Sequence, residues 1–444
     1  VSENGLVIHV HNDTPAAEAA AATVHPSVLG GFALAGILVA LVVPMMTPGT
    51  VLMVGVPILI AGLRAIRSGS VPVTPLVAVL AVTACYLFAN ALWSVDPIEA
   101  LGRAALFTAL SALAIGVSHA LETLDDEARE QLGRGVLIAI GVGALFLAVE
   151  TALGQPIRRF VTSVLPFLRP SPKHARVTDG WVTDIGLYTL NRNLGLLIML
   201  LWPTLLIVRA RLGREAARVP VIALVIVTAV AVFHSEHETS MVALVAGSCV
   251  VLAMSLGTVM MRALRVMVAA GWVIAALFMV PIVDGLHKAG LHQASWLPRT
   301  ARNRVVLWDV TAENIAKAPI LGIGIGSTKP LDEEAATTAQ RQDGNFYPQR
   351  TGRHAHNLYL QTWYELGAVG ALLLLAIGLG VLRLLAQLPV VAQPLLFAGF
   401  VASAVMAAFT WGMWQPWFMA AFGMWAILMA IAIDAIRASE ARRA

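Results

Sequence analysis

Long stretches of this chain contain no charge at all. Segments 26–46 and 390–411 are free of Asp, Glu, Lys and Arg, and each has about the 20 apolar residues that one helix needs to cross a hydrocarbon core. A backbone in hydrocarbon must satisfy its own hydrogen bonds, so only helices or a closed barrel are possible. A barrel would show short alternating segments rather than unbroken apolar runs. Composition agrees, at 58% hydrophobic and 13% charged residues with mean hydropathy +0.78, where a soluble domain has roughly 25% charged. These features exclude a soluble globular enzyme, a disordered chain and a collagen-like or disulfide-stapled protein. The expected fold class is an all-α polytopic integral membrane protein.

About twelve spans are read from the hydrophobic runs, at 26–46, 49–64, 71–93, 99–118, 135–153, 187–208, 219–234, 240–258, 266–284, 364–383, 390–411 and 414–436. The exits of the even-numbered spans are basic. They carry Arg64 and Arg67; Arg129 and Arg134; Arg209, Arg211, Arg214 and Arg218; Arg262 and Arg265; Arg383; and Arg437, Arg442 and Arg443. The positive-inside rule makes those ends cytoplasmic. The expected layout is therefore a cytoplasmic segment 1–25, spans one to nine over 26–283 with an outer segment near 154–186, a large outer loop 284–363, spans ten to twelve over 364–436, and a cytoplasmic tail 437–444. Residues 1–25 lack the basic n-region of a signal peptide. The formal charge of +4 marks cytoplasmic loops rather than a nucleic-acid partner. Cys85 and Cys249 lie in apolar runs and read as small core residues.

Both outer segments are also basic. The first holds Arg158, Arg159, Arg169, Lys173 and Arg176. The second holds Arg299, Arg302, Arg304, Lys329, Arg350 and Arg353 among others. Cations there suit an anionic partner or, equally simply, the phosphates of membrane lipids. Within the large loop, Arg304, Leu307, Trp308, Thr311 and Ile315 recur at helical spacing and predict an interfacial helix. Pro319, Gly322, Gly324 and Gly326 end it. Residues 327–353 read as irregular, and a second helix begins near Ala355.

The GIGIG run at 322–326 is followed by no Lys-Ser/Thr pair, which makes it a tight turn rather than a phosphate loop. His354 and His356 could begin a zinc site only with a third ligand from elsewhere. His234 and His237, with Glu236 and Glu238, form a second polar cluster; solvating a short outer loop is its plain alternative and the preferred reading for His234. With no D-x-D to hold a cation on a diphosphate, Arg and Lys become the natural counter-charges. Arg192 stands between Asn191 and Asn193 at the mouth of a span, as either a snorkelling anchor or a functional cation.

The segment from Arg304 to Ala371 reads R-x3-W, PILGIGIGS, a polar loop, and HAHNLYLQTWYELGAVGA. It resembles the signature of the O-antigen ligase/polymerase superfamily of bacterial envelope enzymes. WSVDP at 93–97 is similar to that family's segment after an early span. HETS at 237–240 stands where the family often has Ser-Arg, and that Arg is missing here. His356-Asn357, nine residues, Gly367 and Gly370 resemble the ligase pattern H-[NSQ]-x9-G-x-x-G, with Ala371 in place of Thr or Val. Arg192 to Leu196 fits R-x3-L.

The resemblance implies a GT-C-like architecture in a bacterial inner membrane, with the outer loops periplasmic. It implies transfer of a polysaccharide from undecaprenyl diphosphate to a sugar hydroxyl of lipid A–core, without metal or other cofactor. His356 is then the catalytic base or the group that orients the acceptor hydroxyl. Arg192 and Arg304 bind the donor diphosphate, with Arg302 as a helper. His354, Arg353, Glu236, His237 and Glu238 are secondary candidates. O-antigen polymerase and protein O-oligosaccharyltransferase are alternatives within the superfamily. A lipid or polysaccharide transporter fits less well, because transporters usually place charge near mid-membrane.

Overall fold

The computed structural model describes residues 24–62, 73–338 and 351–442. Among them, every span read from the sequence is an apolar helix at its expected place: α1 (Pro26–Val42), α2 (Thr47–Ala61), α3 (Pro75–Asn90), α4 (Pro97–Leu121), α5 (Asp126–Ala152), α7 (Asn191–Ala216), α8 (Arg218–Phe233), α9 (Glu238–Met254), α10 (Thr258–Lys288), α13 (Leu358–Gln387), α14 (Gln393–Phe409) and α15 (Pro416–Ala441). Eight helical segments have the length and composition to cross a membrane, α2 and α3 when counted with the short turns Pro44–Met46 and Ala91–Trp93 that adjoin them, and four apolar helices are shorter, at 16 or 17 residues. The remaining helices are short or interfacial: α6 (Pro156–Val164), α11 (Arg299–Ile315) and α12 (Thr328–Thr338). The all-α membrane architecture is confirmed. Arg64, Arg67, Arg341, Arg350 and Arg443 lie outside the described residues.

α7 is the central mast. Every residue from Asn193 to Val208 is buried, because α1, α5, α8, α9, α14 and α15 all pack around it. Its sequence is apolar all round, as a helix enclosed by other helices must be. α10 is the opposite case: only Met261, Ala276 and Val283 of its 31 residues are buried, and its apolar surface faces outward, as lipid contact allows. Cys85 and Cys249 are exposed, a correction to their reading as core residues. In a membrane the outer surface of a bundle is as apolar as its interior, so hydrophobicity alone does not separate the two.

One end of the bundle gathers the arginines that follow the fourth, sixth and twelfth spans. Arg129 pairs with Asp434 at 2.9 Å, Arg211 with Glu130, Arg437 with Glu122 at 3.7 Å and Arg442 with Asp126 at 3.5 Å. The two outer segments emerge at the other end. Their structure is richer than the sequence suggested. Residues 175–185 form an antiparallel hairpin, β1 (Ala175–Thr178) and β2 (Trp181–Ile185). Asp179 and Gly180 turn it with φ of 50° and 80°, the Asp-Gly geometry of a two-residue hairpin loop.

Two expectations for the large loop need correction. Residues 328–338 are helical, not irregular. Their sequence has no apolar period, and the start of the helix is held from outside it: the Thr328 amide donates to the Glu365 carboxylate at 3.1 Å. The helix after the histidines begins at Leu358, not near Ala355. Asn357 caps it, its Oδ1 accepting from the Leu360 amide at 3.0 Å, so His356 precedes the helix with φ 52°.

The arrangement of basic ends predicts a labelling pattern. With Cys85 and Cys249 replaced by Ala, a membrane-impermeant maleimide applied to intact cells should label Lys173→Cys and spare Arg214→Cys. The reverse pattern would invert the orientation.

Candidate functional site

The site is built where α3, the glycine turn, α11 and α13 meet. Ser94 of the WSVDP segment donates to the Ile325 carbonyl at 2.9 Å, and the Val95 amide donates to Ser327 Oγ at 3.1 Å. Asn90, at the end of α3, accepts from the Ile325 amide at 2.6 Å and donates to the Leu321 carbonyl at 2.9 Å. The early motif is thus a cradle for the late one, some 230 residues away.

The other side of the turn rests on α13. Gly367 breaks that helix with φ 65° and ψ −164°. The break lets segment 319–322 dock against the helix: the Ala368 amide donates to the Pro319 carbonyl at 2.9 Å and the Val369 amide to Ile320 at 3.2 Å. A Cβ at 367 would overlap the Ile320 carbonyl, and the left-handed φ itself favours glycine. This is a physical reason for a glycine after the nine residues that follow Asn357.

Glu365, fully buried, joins these parts. Its carboxylate accepts from the Gly326 amide at 2.9 Å, the Thr328 amide at 3.1 Å, the Thr328 hydroxyl, Gln361 Nε2 at 3.2 Å and Trp414 Nε1. One side chain therefore ties the glycine turn, α12, α13 and the α14–α15 connection together.

Around this frame lies a cavity of about 440 Å³, lined by Glu99, Arg103, Arg192, Gly326, Lys329, Arg353, His354, Gln361, Glu365, Gly412, Trp414, Gln415 and Pro416. Of the residues expected from sequence, Arg192, Arg353 and His354 line it. Arg192 is at the head of the mast, its guanidinium 5.7 Å from the centre of the Trp417 ring, while Asn193 anchors the helix end by donating to the Leu41 carbonyl at 2.7 Å. Arg353 pairs with Glu333 of α12.

His356 stands beside His354 with ring centres 4.1 Å apart. Both residues precede the helix that starts at Leu358, so helical geometry does not turn the two rings apart. Trp308 of α11 secures the loop by donating to the Ala355 carbonyl at 2.8 Å. His356 Nδ1 meets the Thr410 carbonyl. A carbonyl only accepts, so Nδ1 bears the proton and Nε2 keeps its lone pair.

Burial pushes His356 down to about 4, against the Thr410 bond and helped by Arg304. Burial pushes His354 down to about 3, assisted by His356, Arg353, Arg192 and Arg304. His237, packed on Trp411 with Nδ1 2.7 Å from Ser240 Oγ, is driven to about 3 by burial and then Arg304. Arg304 thus lies in electrostatic reach of all three histidines. Burial lowers its own pKa, opposed by Glu238.

Arg302, Glu236 and the exposed Glu238 do not line the cavity. Arg103, Lys329, Glu365, Gln361 and Trp414 were not singled out from the sequence. Glu365 and Gln361 lay in view inside HAHNLYLQTWYELGAVGA, one helical turn apart, but the other donors to Glu365, from Gly326, Thr328 and Trp414, are distant in the sequence. Among the described residues, no group of three His, Cys, Asp or Glu side chains is arranged to hold a metal ion.

Residues 222–375 match the family model described as O-antigen ligase. This segment contains His237, α11, the glycine turn, the cavity-lining His354 with its neighbour His356, and the Gly367 break. Over that segment, about a third of the chain, the sequence is similar to the O-antigen ligase family. Similar proteins include three named as candidate polysaccharide ligases. The one from Rickettsia prowazekii is 23% identical over 272 residues, 61% of this chain and 64% of the relative. The one from Rickettsia typhi is 22% identical over 271 residues with the same coverage. The one from Rickettsia conorii is 25% identical over 131 residues, 29% of this chain and 31% of the relative. The chain thus spans just under two thirds of the first two relatives. Arg103, Arg192 and Trp414 fall outside the O-antigen ligase segment, so the cavity is completed by residues from the rest of the chain.

Glu365→Ala strips the acceptor from several buried donors, each costing about 1–3 kcal/mol when left unpaired. Thermal unfolding in detergent should shift down by several degrees, and Glu365→Gln should recover part of the loss. An unchanged midpoint for Glu365→Ala would remove Glu365 from its organising role.

Proposed function

We propose that the chain is a glycosyltransferase that moves an O-antigen polysaccharide from undecaprenyl diphosphate to a sugar hydroxyl of lipid A–core, at the periplasmic face of the inner membrane. The observation behind this reading is a cavity whose wall holds Arg103, Arg192, Lys329 and Arg353 next to the His354–His356 pair. Donor and acceptor are both lipid-anchored, so a cavity at the head of the bundle gives proximity without diffusion through water. The leaving diphosphate gathers negative charge as the anomeric bond breaks. Arg192 and Arg304 stabilise it, with Arg302 as a helper, because preformed cations do not have to reorganise during the reaction.

His356 accepts the hydrogen of the acceptor hydroxyl through Nε2, with Thr410 fixing the ring. Its left-handed backbone fits a functional position, where strain is often tolerated. His354 forms the cavity wall beside it. A single inverting displacement is the simplest course, since the cavity does not offer two free carboxylates for a double displacement: Glu365 is consumed by its donors and Glu99 pairs with Arg103. Purified protein with lipid-linked O-antigen should form product only when lipid A–core is supplied. Product from the donor alone would indicate a polymerase, and transfer to Ser or Thr of a protein a protein glycosylation enzyme.

Two predictions test the residues. His356→Ala should lower kcat by about 10²–10⁴-fold while donor binding stays within a few-fold; wild-type kcat would make His356 structural. Arg192→Ala and Arg304→Ala should each raise the barrier by about 2–4 kcal/mol, with Lys a poor replacement because it lacks the planar fork.

The pH profile tests burial. The free site keeps both histidines neutral well below their ordinary pKa of ~6.5, so kcat/KM should stay flat from pH 7 down to about 5. Bound diphosphate raises both pKa values by its charge, so the acid limb of kcat should lie at higher pH than that of kcat/KM. An acid limb of kcat/KM centred near ~6.5 would contradict the buried, neutral pair.

A further inference from the structure

Arg103 lies on α4, outside the O-antigen ligase segment, yet its guanidinium reaches the same cavity. Its Nη2 pairs with Glu99 one turn earlier. Asp96 caps the helix, Oδ1 accepting from the Glu99 amide at 3.0 Å, which fixes where the Glu99–Arg103 pair stands. The Arg103 side chain is only 11% exposed, and Nη1 is buried with no hydrogen-bond partner. A buried guanidinium N–H without an acceptor is costly and calls for a partner.

The glycine turn makes the seat. Gly326 has φ 75°, and a Cβ there would occupy the place of Arg103 Nη1. The conformation of Gly326 is imposed by Glu365, which accepts from its amide. The third glycine of GIGIG is therefore a socket for an arginine. The guanidinium, the socket and Lys329 share one cavity wall with Arg192.

We propose that Arg103 is a further diphosphate-binding residue, its free Nη1 donating to an oxygen of the lipid-linked diphosphate, with Glu99 holding the guanidinium in place and tempering its charge. The chemistry recognised is a diphosphate joined to an isoprenoid chain. The proposal rests on the donor reading above but is tested by binding alone.

Trp414 and Trp417, beside the cavity, provide the readout. Purified protein in detergent is titrated with farnesyl diphosphate, farnesyl monophosphate and inorganic pyrophosphate, following tryptophan fluorescence. Farnesyl diphosphate should bind most tightly, and Arg103→Gln should weaken it about tenfold or more. Glu99→Gln should tighten it, since removing the counter-charge leaves a freer cation. A purely structural Glu99–Arg103 pair predicts loss in both variants or change in neither, and either result overturns the proposal. Tighter binding of inorganic pyrophosphate than of farnesyl diphosphate would reassign the site to a free anion and also overturn it. If binding follows the predicted pattern while no glycan transfer is detected, Arg103 stands and the transferase reading fails. If transfer occurs and Arg103→Gln binds like wild type, the reverse holds.

Discussion

A buried carboxylate organises the head of this protein. Glu365 could not stay in an apolar bundle without donors, and its two oxygens accept from two backbone amides, a hydroxyl, a carboxamide and an indole. Those donors come from four parts of the chain. Their convergence sets the glycine turn, and the turn sets the socket for Arg103. The same carboxylate caps α12, and α12 supplies Glu333, the partner of Arg353. The cavity is shaped by the requirement to satisfy one charge, in keeping with the general behaviour of buried polar networks.

Charge and neutrality are separated within a short distance. The cavity wall carries four cations and two carboxylates, one of them fully committed to its donors. The imidazoles of His354, on that wall, and His356, beside it, are held neutral first by burial, with Arg353, Arg192 and Arg304 adding to the effect on His354 and Arg304 on His356. An anionic ligand reverses this balance: it neutralises the arginines and makes protonation of a histidine easier. In the proposed reaction, this would couple proton acceptance to occupancy by the donor.

The transmembrane architecture was legible because hydrocarbon imposes a simple rule, and every apolar run from 26–46 to 414–436 became a helix. Arg192, Arg353, His354 and the His356 neighbourhood were legible from local polarity beside the membrane and from the family-like string. What stayed hidden depends on long-range closure. The helical character of 328–338 comes from Glu365, not from its own sequence. The late start at Leu358 comes from Asn357 capping and from Trp308, which pins Ala355. Arg103 reads as an ordinary charge after WSVDP until Gly326 is folded against it. The Asp179-Gly180 hairpin is a different case: its turn chemistry is present in the sequence, but the two strands beside it are short and mostly exposed and carry little apolar alternation.

The central claim is that one cavity framed by Glu365 receives the donor's diphosphate beside the His354–His356 pair. A cryo-EM structure of the protein bound to undecaprenyl diphosphate in a lipid nanodisc tests it most directly. Density for the diphosphate should lie within hydrogen-bonding distance of Arg192 and on the cavity face of His354, with Glu365 still bound to Gly326 and Trp414. A diphosphate seated elsewhere, at the arginine-rich opposite end or on the lipid-facing surface of α10, would contradict the account.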